Sequence, residues 1–336
     1  MKHGTSLLNL KKKRMKILVF GAGVIGTTYA WQLSESGYDV SLLVRKHKLV
    51  RYSHSGISIN CTDMRGKKKE FVKTVFRPKT TDRLNHDHDY DLIIVSVRTT
   101  QLEEAIPYVA KFAGQATILF LSNLWDGFDL INKHLTSAQM VYGFPGMAGG
   151  GRTDNSINCL LFRNGSTMLG EPDGKTSRRL VDIANIFGRS GLQPKITNNI
   201  ITWLKAHYVW PAASFGAVCK AGDARSFASN YLLVKQSALA IREGLKVCKK
   251  ERVNPMKIFP YNLFFLPTFI ITPLLKRSYS EEMAEVMDGH IKHGFDEMKK
   301  QYYDIVRAGK KHGVRMPYLV SFEKYILEAE KKQRIS

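Results

Sequence analysis

The stretch from Lys16 to Gly26, Lys-Ile-Leu-Val-Phe-Gly-Ala-Gly-Val-Ile-Gly, narrows the choice of fold more than any other part of the chain. Ile17 to Phe20 form an apolar run that leads straight into Gly21, Ala22, Gly23, Val24, Ile25 and Gly26. A helical pattern through Ala30, Trp31 and Leu33 closes at Gly37, and a second apolar run spans Val40 to Val44. In the order strand, glycine turn, helix, strand, a Gly-x-Gly-x-x-Gly run predicts a dinucleotide-binding βαβ unit. Gly21 permits the tight turn, Gly23 lets the backbone approach a pyrophosphate, and Gly26 lets the helix lie close to the strand. The helix N-terminus offers free N–H groups and a partial positive charge to the phosphates. Residues Gly21 through Gly26 are therefore assigned to cofactor binding.

The end of the second strand selects between the two nicotinamide dinucleotides. An Asp or Glu there accepts hydrogen bonds from a ribose 2′-hydroxyl. This chain has Arg45, whose guanidinium fork suits a 2′-phosphate instead, so the expected cofactor is NADPH/NADP+. Further on, Tyr90 to Val97 reads as a buried strand ending at Arg98, and a helix is expected over Leu102 to Phe112. Thr117 to Leu121 is the next strand and ends at Ser122 and Asn123. Ligands of open α/β sheets bind beyond the carboxyl ends of strands, which puts Arg98 and Asn123 on the expected rim. Ile57 to Val75 reads as short strands with a hairpin around Arg65 and Gly66. Gly143 to Gly151 reads as a turn-rich loop, and no Lys-Ser/Thr follows it to make a P-loop.

Strand-like runs at Ile157 to Phe162 and Thr167 to Leu169, then a helix over Ser177 to Phe187, complete the first half. Beyond Asn199 the pattern is helical, near Ile200–Cys219, Ser229–Glu251, Ser280–Lys311 and Pro317–Lys332. The expected fold class is α/β: an N-terminal Rossmann-type doubly wound sheet followed by an all-α C-terminal domain. The division expected is a basic, disordered tail at 1–14, a cofactor-binding domain at 15–196 and a helical substrate and dimerisation domain at 197–330. In the third helix Met287, Ile291, Phe295, Met298, Tyr302 and Ile305 make a buried stripe at three-to-four spacing. His290, His293, Glu297 and Gln301 lie on a neighbouring polar strip, read as a solvated or ligand-facing surface and not as a metal site.

The net charge of +22 on 336 residues is partly concentrated in the first sixteen, where Lys2, Lys11, Lys12, Lys13, Arg14 and Lys16 meet no acid. No helix-turn-helix or aromatic-interleaved basic motif accompanies it, so small anionic ligands are expected as partners and specific nucleic acid is not. Cys61, Cys159, Cys219 and Cys248 are widely spaced and form no C-x-x-C pair, the usage of a cytoplasmic protein. Residues 1–14 lack the apolar core of a signal peptide, and Met15 stands directly before the first strand. Ile258 to Leu275 is nearly all apolar, but Pro260, Pro267 and Pro273 would break a spanning helix repeatedly. It is expected as a packed, kinked segment at an interdomain or homodimer surface. An interfacial membrane contact helped by Lys276 and Arg277 is the less favoured alternative.

The chain resembles the ketopantoate reductases (2-dehydropantoate 2-reductases) from Met15 to about residue 320. The resemblance is carried by the opening Met15–Gly26, by Val44-Arg45, by Val95-Ser-Val-Arg98, by Asn123, by Trp203-Leu-Lys205, by Asp296-Glu297-Met298 and by the closing Gly313…Pro317. It implies a Rossmann domain joined to a helical domain, with the active site in the cleft between them. Lys205 and Glu297 are implied as catalytic residues, Arg45 as the holder of the NADP 2′-phosphate, and Arg98 and Asn123 as contacts to cofactor and substrate. Substrate binding is assigned to Asn123, Arg98, Lys205 and Glu297. Arg98 stands where the family usually has lysine, and Leu-Trp-Asp-Gly follows Asn123 where the family has Asn-Gly. Val209 and Ala213 replace asparagines that the family places four and eight residues after its lysine, and Glu285 stands in place of a substrate-binding serine. The expected reaction is NADPH-dependent reduction of a small 2-keto acid. The alternatives are a more apolar keto substrate and a non-catalytic NADP-binding or sensing module.

Overall fold

The computed structural model describes residues 15–153, 156–279 and 281–335; the basic segment 1–14 lies outside them. Its first half runs β1 (Lys16–Phe20), α1 (Val24–Glu35), β2 (Asp39–Leu43), α2 (Lys46–Ser55), β3 (Ile57–Asp63), β4 (Glu70–Phe76), β5 (Lys79–Thr81) and β6 (Leu92–Val95). It continues with α3 (Leu102–Phe112), β7 (Thr117–Leu121), α4 (Gly127–His134), β8 (Met140–Pro145), β9 (Ala148–Arg152), β10 (Ser156–Leu161), β11 (Thr167–Gly170), α5 (Arg178–Arg189) and β12 (Pro194–Ile196). The second half is α6 (Ile200–Ala221), α7 (Ala224–Ser229), α8 (Tyr231–Lys250), α9 (Thr268–Ser278), α10 (Glu281–Lys311), α11 (Pro317–Val320) and α12 (Glu323–Ile335).

Apolar strands without alternation belong in a sheet covered on both faces. Accordingly, Ile17, Leu18 and Val19 of β1 are fully buried near the middle of an eight-stranded sheet ordered β12-β11-β8-β7-β6-β1-β2-β5. Its centre is parallel: Phe20 of β1 stands beside Leu43 of β2 and Val95 of β6, and Val95 stands beside Phe120 of β7. Their carboxyl ends therefore form one continuous rim. A second sheet, ordered β4-β3-β10-β9, packs on the other side of α1. Gly26 to Leu33 are all buried between the two sheets, which is why α1 carries no polar face. The hydroxyls of Tyr29 and Thr167 share a hydrogen bond of 2.6 Å inside this layer.

The expected helix at 102–112 and strand at 117–121 form at those residues, and β3 and β4 make the expected hairpin. The glycine-rich stretch 143–151 is not a loop. It forms the end of β8 and most of β9, which pairs antiparallel with β10. Its glycines are there for close approach. A Cβ on Gly149 would lie 3.4 Å from Val286 of α10, and one on Gly151 would lie 3.3 Å from His293. Bare backbone thus seats the first half of α10 on the second sheet.

In the helical half, α6 is buried along most of its length among α8, α10 and α12. The expected helix at 229–251 is preceded by a separate short one, α7, because Asn230 ends the first and its side chain accepts the Leu233 N–H at 3.0 Å. The expected helix 280–311 is continuous by hydrogen bonding but kinked at Gly294, whose φ of −138° is not helical. Ile258 to Leu275 breaks into a turn of 3-10 helix over Tyr261–Phe265 and then α9, with Ile258, Tyr261, Phe264, Ile271 and Leu275 in the core. Among the described residues, no helix is long and apolar enough to cross a membrane.

Gly150 has φ +133°, and a Cβ there would lie 2.1 Å from the Asn158 carbonyl oxygen of β10. Gly150→Ala is therefore expected to destabilise the protein by roughly 2–4 kcal/mol, read as a lower midpoint in urea unfolding.

Candidate functional site

The glycine turn has the geometry its sequence implies. Gly21 has φ +120°, and a Cβ there would lie 2.3 Å from the Ser96 carbonyl oxygen. A Cβ on Gly26 would lie 1.9 Å from the Gly21 carbonyl oxygen, so α1 can start against β1 only with glycine at both positions. Gly23 is different: nothing lies within 4 Å of its Cβ position. It caps α1 without a side-chain hydrogen bond. Open space in front of the first-turn N–H groups is what a pyrophosphate needs, so the turn fits a dinucleotide.

Arg45 is exposed and lies two residues beyond the end of β2, on the rim beside the turn. The sequence reading missed a second cation. Arg152, the last residue of β9, donates to the carbonyl of Ala22 in the glycine turn and to the hydroxyl of Tyr52 on α2. It reaches the turn from the second sheet, 130 residues along the chain, which no local pattern signals.

Arg98 follows β6 on the same rim and donates through Nη2 to the His293 carbonyl of α10 at 3.2 Å. Next to it, Thr99 donates its N–H and its hydroxyl to Glu297 Oε1, at 3.2 and 2.8 Å. Thr99 Oγ1 also lies 3.5 Å from the Asn123 carbonyl oxygen. The rim and α10 are thus joined at Arg98, Thr99, Asn123 and Glu297. His290, two turns before Glu297, keeps contact with solvent, yet surrounding protein pushes its imidazole below the usual range while Glu297 opposes the shift. Asn123 Oδ1, Trp125 Nε1 and Gln301 Oε1 are buried with no hydrogen-bond partner among the described residues. An unmade bond at such an atom costs about 1–3 kcal/mol, which an ordered water or a bound group would relieve.

Lys205 sits elsewhere on the helical wall. Its Nζ donates to Glu251 Oε2 at 2.5 Å and stands 5.0 Å from the centre of the Trp125 ring. Glu251 Oε1 is 3.5 Å from His312 Nε2. Lys205 and Glu297 share no hydrogen bond or ion pair among the described residues; each is held by its own partner. Between them, the Tyr208 hydroxyl donates to buried Asp304 at 2.6 Å, and Lys300 reaches the same carboxylate at 2.7 Å. Burial and then the Asp304 charge push the Tyr208 phenol far up. Asp126 completes the group. Its side chain reaches the surface, but crowding by protein raises its carboxyl above the usual range, helped by Asp304 and Glu251 and opposed by Lys205 and Lys300.

Trp125 and Asp126 belong to the Leu-Trp-Asp-Gly stretch that marked the sequence's departure after Asn123, and they face the lysine because of it. Val209 and Ala213 are buried in the helical core, and a Cβ on Gly244 of α8 would lie 2.5 Å from Val209 Cγ1. Asparagine at either position would bury an amide in apolar packing. Glu285 lines a cavity of about 410 Å³ between the second sheet and α10, with Asn60, Asn158 and His293. No group of histidines, cysteines and carboxylates able to hold a metal ion occurs among the described residues.

This architecture is a Rossmann-type α/β unit with a helical region set against its strand ends. The family profile described as Ketopantoate reductase PanE/ApbA matches residues 17–174. The 2-dehydropantoate 2-reductase of Pyrococcus abyssi is 23% identical over 260 residues, spanning 75% of this chain and 79% of its own. That of Aquifex aeolicus is 22% identical over 316 residues, spanning 90% and 93%. Two solved structures share the fold. The 2-dehydropantoate 2-reductase of Geobacter metallireducens has a TM-score of 0.73 at 15% identity, over 94% of this chain and 100% of that one. A D-mandelate dehydrogenase in a ternary structure with NADH and anilino(oxo)acetate has a TM-score of 0.72 at 19% identity, over 95% and 99%. The matched segment and the full-length relatives fit a divergent relative of the ketopantoate reductases, a family of oxidoreductases.

Because the Asp126 carboxyl is raised, the fold disfavours its ionised form. The stability linked to its protonation is present below the ordinary carboxylate pKa and is lost as pH rises through the raised value. Asp126→Asn is expected to raise the Tm slightly at about pH 7.5, the effect being reduced by solvent screening at this exposed side chain, and to leave it unchanged as the pH falls to about 4.

Proposed function

We propose that this protein is an NADPH-dependent reductase of a small 2-keto acid, 2-dehydropantoate 2-reductase-like, working in the cleft between the sheet rim and the helical half. One observation carries the reading: the rim that holds the glycine turn is joined to the helical wall at Thr99–Glu297 and at Trp125–Lys205. That arrangement supports a dinucleotide and a set of charged side chains working in one cleft.

Bound reduced nicotinamide would supply the hydride; the protein supplies position and charge. The turn Gly21–Gly26 and the α1 N-terminus receive the pyrophosphate, with Arg152 placed over the turn as a second phosphate contact. Arg45 pairs with the 2′-phosphate. Arg98 keeps guanidinium donors beyond the one given to His293, enough for a substrate carboxylate. Asn123, whose Oδ1 is unpaired among the described residues, fixes the substrate and nicotinamide. As negative charge builds on the substrate oxygen, the Lys205 ammonium stabilises it and gives up a proton from Nζ. Glu251 holds the lysine side chain in place beforehand, and Glu297 orients the substrate from α10. The four cysteines, all free thiols, suit a cytoplasmic setting.

A second reading, a larger and more apolar keto substrate, is favoured by Trp125 beside the lysine. The D-mandelate dehydrogenase of similar fold, bound to an aryl-substituted oxo acid, is in keeping with it. A third reading, a non-catalytic NADP-binding module, takes support from the separate engagement of Lys205 and Glu297.

Two measurements separate these readings. In fluorescence titrations, Arg45→Gln is expected to weaken NADPH about 10- to 100-fold and leave NADH unchanged, while Arg152→Gln weakens both alike. Gly23→Ala should bind neither well yet melt like the wild type, since its Cβ meets nothing in the protein. Failure of the wild type to bind either dinucleotide would overturn the cofactor assignment. Second, NADPH oxidation is followed with a panel of aliphatic and aryl 2-keto acids. Lys205→Ala is expected to lower kcat by roughly 100-fold or more on the preferred one. Cofactor binding without turnover on any keto acid would leave the non-catalytic module.

A further inference from the structure

From Arg252 to Tyr279 the chain carries no acidic residue. Arg252, Lys257, Lys276 and Arg277 lie in this stretch, Lys246, Lys249 and Lys250 precede it on α8, and all seven are exposed. The inward side chains of the segment fill the helical core. Left outside are Met256, Phe259, Leu266, Phe269, Ile270 and Leu274, with Phe259 73% and Phe269 71% exposed. These are six of the sixteen exposed large apolar residues among those described, within 19 positions, so the exposure is clustered.

The geometry of α9 puts half of the cluster on one face. Phe269, Ile270, Pro273, Leu274 and Arg277 follow i, i+1, i+4, i+5, i+8 spacing on one side and are exposed, whereas Ile271, Thr272 and Leu275 are buried on the other. A soluble monomer rarely leaves a contiguous apolar patch of this kind uncovered. A second copy of the chain is a poor cover. A two-fold contact pairs a patch with itself, bringing Lys257, Lys276 and Arg277 against the same cations with no carboxylate in the segment between them. An anionic lipid surface meets both requirements at once: acyl boundary for the aromatics and negative headgroups for the cations.

We propose that this face docks the protein on the surface of an anionic phospholipid bilayer. Phe259, Phe269 and Leu274 enter the headgroup boundary, and Lys257, Lys276 and Arg277 meet the phosphates. The contact is peripheral, since no described helix is long and apolar enough to span.

The test is flotation of the full chain with phosphatidylcholine vesicles and with mixed phosphatidylcholine–phosphatidylserine vesicles. The wild type is expected to float with the mixed vesicles only, less so at high salt. The pair Phe259→Ser and Phe269→Ser should weaken this about tenfold or more, and so should the pair Lys276→Glu and Arg277→Glu. All four side chains are exposed, and unchanged melting curves confirm that the variants fold. Wild-type binding by the serine pair would overturn the proposal, because the net charge of +22 alone would then explain the attraction. So would failure of the wild type to float, or a solution dimer that Phe259→Ser dissociates without any vesicle binding.

Discussion

The carboxyl rim depends on how closely α1 can lie against β1. With the Gly26 Cβ position 1.9 Å from the Gly21 carbonyl oxygen, any side chain there would push the helix off the strand. The helix is also held from its other side by the second sheet, with residues Gly26 to Leu33 buried between the layers. A displaced α1 would therefore disturb both sheets at once. This double cover fixes the direction of the α1 N-terminus, and through it the position of the turn relative to Arg45, Arg98 and Asn123.

The candidate site draws on two walls, joined at Thr99–Glu297 and at Trp125–Lys205. On the rim side the backbone supplies the contacts, through the Thr99 N–H and the strand ends. On the helical side charge dominates: Lys205 with Glu251, and Asp304 shared by Tyr208, Lys300 and Arg307. Asp304 is nearly inaccessible, so its charge is tolerable only because three donors share it. Removing one donor would leave a buried carboxylate undercompensated, which ties the integrity of this wall to a network and not to any single pair.

Local pattern made much of the fold legible. The glycine turn, α3 and β7 stand where periodicity and turn chemistry put them, because each is determined by its own few residues. The glycines of β9 read as a loop for a physical reason: they are used for contact with α10, some 140 residues away, and sequence shows the lack of side chains but not what comes close. The site was legible to the same depth. Gly21–Gly26, Arg45, Arg98 and Asn123 share a rim because strand ends must. Lys205 and Glu297 are both implied by the resemblance, but their hydrogen-bond partners are not: Glu251, 46 residues beyond Lys205, and Thr99, 198 before Glu297. Such long-range pairings leave no trace in spacing, and Arg152 over Ala22 is another of them.

The break in α10 has a mechanical meaning. Residues before Gly294 rest on the second sheet, where Val286 and His293 meet the bare strand, and the Arg98 bond reaches the carbonyl next to the break. Residues after it pack in the helical core through Phe295, Met298, Tyr302 and Ile305. One continuous helix is thus joined to both halves of the molecule on each side of its off-helix residue, since Ala284 and Met287 before Gly294 also lie in the helical core and Glu297 after it accepts from Thr99 on the rim. Parting the rim from the helical half would therefore load α10 on both sides of Gly294, the residue at which its helical geometry is already interrupted.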